Sequence, residues 1–118
     1  SIYYKKENYE QALVELQILL ENYPKSPWAE ETKYKIIEIL YALNRCPEAR
    51  EQYRHFNLDY SNSRFKLEMD FVVASCLEEE GHLQDAYNRF KALEGLYTFP
   101  SVLKMKLTGI EKRIKKKR

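Results

Sequence analysis

Apolar positions recur along this chain at helical spacing, in runs of about fifteen residues separated by short polar or proline-bearing turns. Residues 1–6 read as the end of one helix, with Glu7-Asn8 as the turn that closes it. Residues 9–23 read as a second, one-faced helix carrying Ala12, Leu13, Leu16, Leu19 and Leu20 at 3 and 4 spacing. It is predicted to end before Pro24, which cannot continue a hydrogen-bonded turn and disfavours helix at Tyr23. Ser26 is placed to accept a bond from a free amide of the next helix, and Pro27 suits a first helical position. Residues 27–44 then carry Trp28, Tyr34, Ile36, Ile37, Leu40, Tyr41 and Leu43, a face broad enough to need neighbours on two sides. A tight turn at residues 44–46 leads to a helix over 47–60 with Ala49, Tyr53 and Phe56 on its apolar side. Ser63 is the expected cap of a helix over 64–80, which Gly81 stops. A helix over 83–97 follows, and after the break at residues 98–100 comes a last one over 101–117.

These elements repeat. Ala12, Ala49 and Ala86 are 37 residues apart, as are Tyr23, Tyr60 and Tyr97, and the bulky trio Leu16, Tyr53 and Phe90. The predicted organisation is one domain: a partial repeat at 1–24, repeats at 25–61 and 62–98, and a terminal helix at 99–118. The predicted fold is all-α, an α-solenoid of antiparallel helix pairs with a C-terminal capping helix. The chain begins inside a repeat, so it reads as a piece of a longer protein.

Composition narrows the picture. With 3 glycines and 4 prolines in 118 residues, a sandwich or barrel is disfavoured. Mean hydropathy is −0.66, and no apolar run approaches the ~18 residues that span a bilayer. The net charge of +2 hides an asymmetry. Residues 104–118 hold eight basic side chains and one acidic, while the remainder holds twelve basic and seventeen acidic. Cys46 and Cys76 do not make a disulfide framework, and buried free thiols are the expected reading, with a bridge between them as the alternative.

The repeated slots resemble the tetratricopeptide repeat, in which a small residue opens the second helix, large apolar residues follow four and seven later, and proline closes the unit. Here they read Ala12, Leu16, Leu19, Pro24; Ala49, Tyr53, Phe56, Ser61; and Ala86, Phe90, Leu93, Thr98. The period is longer than the family's usual ~34 residues. The phrase from Tyr9 through Pro24-Lys25-Ser26-Pro27-Trp28 to Glu30 is similar to longer-period repeats of bacterial cell-envelope proteins, such as outer-membrane assembly lipoproteins and coordinators of the Tol–Pal type.

That resemblance implies a protein–protein scaffold or adaptor within a bacterial envelope assembly, with the periplasm favoured over the cytoplasm. It also implies a concave groove lined by the first helix of each pair. The corresponding positions are Tyr4 and Lys5 in the first unit. The second unit supplies Glu31, Tyr34, Lys35, Glu38 and Tyr41, and the third Glu68, Phe71, Val72, Ser75 and Glu78. An aromatic groove with both charge signs suits an extended peptide or a partner helix. The competing reading makes Tyr34, Phe71 and Val72 ordinary interhelical packing. Glu78-Glu79-Glu80 reads either as a contact for a basic partner segment or as a solvated helix end.

No phosphate-binding loop, nucleophile elbow or paired metal-ligand motif is present, and His55 and His82 stand at no ligand spacing. No enzyme activity, cofactor or metal is expected. Self-association through exposed terminal helices is the first alternative function. Nucleic-acid binding by the basic tail is the second, disfavoured because the tail lacks interleaved aromatics.

Overall fold

The computed structural model describes residues 2–117, with side chains from Lys5 onward. Among these residues there are six helices and no strand: α1 Ile2–Asn22, α2 Ala29–Ala42, α3 Cys46–Asp59, α4 Lys66–Glu79, α5 Leu83–Lys91 and α6 Pro100–Lys116. The chain forms two compact units, one through Phe65 and one from Lys66 onward. In the first, α2 packs on both α1 and α3; in the second, α5 packs on both α4 and α6.

The 37-residue recurrence is written into backbone hydrogen bonds. After α2, Arg45 N donates to Leu40 O (2.8 Å) and Asn44 N to Tyr41 O (2.9 Å). After α4, His82 N donates to Leu77 O (2.9 Å) and Gly81 N to Glu78 O (3.1 Å). Both are Schellman closures, and each needs a residue in the left-handed region, here Asn44 at φ 60° and Gly81 at φ 85°. Just past α1 and α3, Tyr23 and Tyr60 donate their amides to Leu19 and Phe56, and in the connector after α5 Tyr97 donates to Leu93, all at 2.8–3.0 Å. In the connectors, Trp28 N donates to Ser26 Oγ and Phe65 N to Ser63 Oγ, again 37 residues apart.

Three expectations about the helices are corrected. First, Glu7-Asn8 makes no turn, because α1 runs unbroken from Ile2 to Asn22. The slot filled by Asn44 and Gly81 holds Glu7 here, whose Cβ makes the left-handed conformation costly by ~1–2 kcal/mol. Second, α5 stops at Lys91 instead of reaching Tyr97. Leu93 and Glu94 donate to Phe90 and Lys91, three residues back, and Gly95 turns left-handed at φ 78°. The equivalent of Gly95 in α3 is Leu58, which stays helical. Third, Trp28 is 65% exposed and does not join the apolar face of α2.

The first unit buries Leu13 of α1, Ile36, Ile37 and Leu40 of α2, and Cys46, Ala49, Tyr53 and Phe56 of α3. The second buries Ala74, Leu83, Ala86, Phe90 and Leu93 with Leu103, Leu107 and Ile110 of α6. Ala49 and Ala86 have no exposed surface, so neighbouring helices close over both. Their counterpart Ala12 is half-buried, and Leu19 is 39% exposed where Phe56 and Leu93 are 1% and 3%. Cys46 and Cys76 are buried, but neither is a free thiol; each is disulfide-bonded, against the expected pair of free thiols.

Candidate protein interface

The expected groove residues of the first unit lie on α1 and α2. Tyr4 falls outside the described side chains, and Lys5 is exposed. On α2, Lys35 and Glu38 are exposed, while Glu31, Tyr34 and Tyr41 are half-buried. Tyr34 stacks on Phe65, with ring centroids 4.6 Å apart and planes 10° apart, and its hydroxyl donates to Glu38 Oε2 at 2.9 Å. The Arg64 guanidinium lies 4.6 Å from the Phe65 ring centre. The connector carrying Phe65 is pinned by Ser63 Oγ donating to Glu30 Oε2 at 2.7 Å. A rigid aromatic pair with an adjacent acid and base therefore stands on one side of this unit.

In the second unit the expected residues are mostly engaged. Ser75 is buried, which takes it out of any exposed groove. Phe71 stacks on Tyr97 (4.5 Å, 6°) and meets Phe90 edge-on (5.1 Å), so its ring packs against α5 and the connector that follows it. Val72 is half-buried. Glu68 accepts from Thr98 Oγ1 at 3.4 Å. Glu78 accepts from Lys106 Nζ at 2.9 Å and Arg113 NH1 at 3.0 Å. A basic segment does meet Glu78, but it is α6 of the same chain. The pairing of two basic-tail residues with an internal acid was missed in sequence. Its available signal was that 64–80 and 101–117 occupy equivalent repeat positions, which places them in neighbouring helices.

Electrostatics elsewhere are local and exposed. Arg45 grips Glu48 through both carboxylate oxygens (2.8 and 2.7 Å), holding the Glu48 carboxyl below its ordinary range and the guanidinium above its own. Arg54 does the same to Glu51, with His55 Nε2 3.1 Å from that carboxylate. Lys91 is raised by its bond to Glu94. A cavity of about 70 Å³ among Leu20, Ile36, Ile37 and Phe56, with the Lys33–Asp59 ion pair at its edge, is far below the ~300 Å³ of ordinary ligand sites. Among the described residues no group of three His, Cys, Asp or Glu side chains is placed to hold a metal ion. No helix among them is long and apolar enough to cross a membrane.

No family model matches the chain, no curated protein matches it, and no solved structure matches it.

Proposed function

We propose that this chain is a tetratricopeptide-like helical-repeat module whose work is protein–protein interaction. The observation that carries the reading is the recurrence, at 37-residue spacing, of the same Schellman closures and the same serine-anchored connectors. Such units stabilise one another as a stack of helix pairs and leave side chains over for a partner. With Ser75 buried, Phe71 packed and Glu78 engaged, the binding surface contracts to the α2 face: Tyr34, Lys35, Glu38 and Tyr41, with Glu31 beside them. It would take an extended peptide or helix that offers an apolar group to the tyrosines and charges of both signs to Lys35 and Glu38. We assign the module no covalent chemistry. Disulfide-bonded cysteines favour an oxidising compartment, which supports placing it in a bacterial envelope assembly.

The test is affinity capture from the native extract with the wild-type chain and with a Lys35→Glu, Glu38→Lys double variant whose helicity is verified by circular dichroism. Both positions are exposed, so the fold should survive. A partner held by wild type and lost by the variant supports the reading. A partner set indifferent to the inversion removes the α2 face from it.

A further inference from the structure

Two outward helix faces use none of those residues, and they complement each other. On α1, the positions Glu7, Gln11, Val14, Ile18 and Glu21 follow one another at 4, 3, 4 and 3 and form a single seam. All five are exposed, Val14 at 53% and Ile18 at 50%, and Glu10 and Glu15 flank the seam. On α6, Ser101, Met105, Thr108, Lys112 and Lys115 follow at the same 4, 3, 4 and 3, with Lys104 and Lys116 flanking. These too are exposed, Met105 at 74%, and Lys104, Met105, Thr108, Gly109 and Lys112 line an open depression of about 530 Å³ together with Ser101. One seam is an apolar pair framed by glutamates; the other is a methionine and a small residue framed by lysines.

We propose that this chain associates head to tail with a second copy of itself, α1 of one copy lying antiparallel on α6 of the next. The direction follows from the order of residues. Antiparallel, Ile18 meets Met105, Val14 meets Thr108 beside Gly109, Glu21 approaches Lys104 and Glu7 approaches Lys115. Parallel, Ile18 would face Lys112 and the apolar match would be lost. Gly109 leaves open space where a Cβ would stand, so a helix can approach closely there. The Lys115–Glu111 pair at 3.2 Å is exposed and exchanges readily for an intermolecular one. The α6 face lacks the aromatic and leucine side chains with which interfacial helices enter lipid, so it suits a helix better than a bilayer. The contact joins two different surfaces, so each copy keeps one of each to offer. The proposal is independent of the α2 surface.

Sedimentation equilibrium of the wild-type chain at low salt tests it. One seam of about five contacts on each side predicts a weak association, with Kd on the order of 10–100 µM, loosened by salt. Glu10→Lys, Glu21→Lys and, separately, Lys104→Glu, Lys112→Glu should each give a monomer, since each cancels the net charge of one seam and sets like charges against part of the other. Mixing the two variants should restore a complex, because the basic α6 of the first meets the acidic α1 of the second. Circular dichroism on each variant excludes unfolding as the cause. A wild-type monomer up to several hundred micromolar overturns the proposal, as do variants that still associate alone or fail to pair when mixed. Binding of monomeric wild-type chain to anionic phospholipid vesicles through α6 would overturn it in favour of a lipid surface.

Discussion

Lys106 of α6 and Glu78 of α4 are joined Nζ to Oε1 at 2.9 Å, 28 residues apart, and Arg113 takes the second carboxylate oxygen at 3.0 Å. Glu78 is the more buried partner, its side chain 16% exposed against 32% for Lys106. Both bonds are charge-assisted, and both tie the basic terminal helix back to the pair before it. Glu78→Gln should lower stability to urea by about 1 kcal/mol, more than an open surface pair is worth because the carboxylate is partly desolvated. A double-mutant cycle with Lys106→Met measures the coupling directly. A coupling indistinguishable from zero would mean that Lys106 adds nothing to the hold on α6 beyond Arg113 and the apolar contacts of Leu103, Leu107 and Ile110.

Ala86 has no exposed surface and lies beside Phe90 in the second unit's core. Three extra heavy atoms cannot be accommodated without moving a helix. Ala86→Leu should therefore cost about 1–3 kcal/mol by overpacking, read as a lower urea midpoint at unchanged m-value. The same change at Ala12, which is only half-buried, should cost distinctly less. Equal losses at the two positions would contradict the burial difference.

Much of this was legible beforehand because each turn is announced by its own chemistry. Pro24, Asn44, Gly81 and Pro100 mark helix ends, and the alanines and large apolar residues repeat in register. What misled was the assumption that equal spacing implies equal conformation. Glu7 sits where Asn44 and Gly81 sit, yet lacks their tolerance of positive φ, and α1 continues through it. Gly95 has no glycine counterpart, and it shortens α5. Which of the expected groove residues stay exposed was harder to foresee. Whether Phe71 faces outward depends on where Tyr97 and Phe90 place their rings, which no local pattern encodes.

Gly81 tests the turn chemistry in isolation. Its φ is 85°, and a Cβ added there would meet nothing within 4 Å. Steric exclusion is thus absent, and only backbone conformation is at stake. Gly81→Ala should destabilise by about 1–2 kcal/mol. Asn44→Gly, at φ 60°, should be neutral or slightly stabilising. Thermal unfolding of the two variants side by side separates them, and a neutral Gly81→Ala would show that α4 can end without the left-handed residue.

The Arg45–Glu48 pair gives a pH dependence whose sign is fixed. Hydrogen bonding from Arg45 lowers the Glu48 carboxyl below its ordinary 4.5, and bonding from Arg54, with His55 nearby, lowers Glu51 in the same direction. The unfolded chain lacks both partners, so it binds protons first as pH falls. These carboxylates therefore contribute stability that is present above about pH 4.5 and lost as pH drops through their lowered values. Both are solvent-exposed, which keeps the effect small and sensitive to salt. Carboxyl-carbon NMR titration should find Glu48 and Glu51 both below 4.5. Arg45→Ala should return Glu48 toward the ordinary value and leave Glu51 where it was, because Arg54 still holds it. If both carboxyls rise together, α3 itself has loosened, and its first turn depends on the Arg45 clamp.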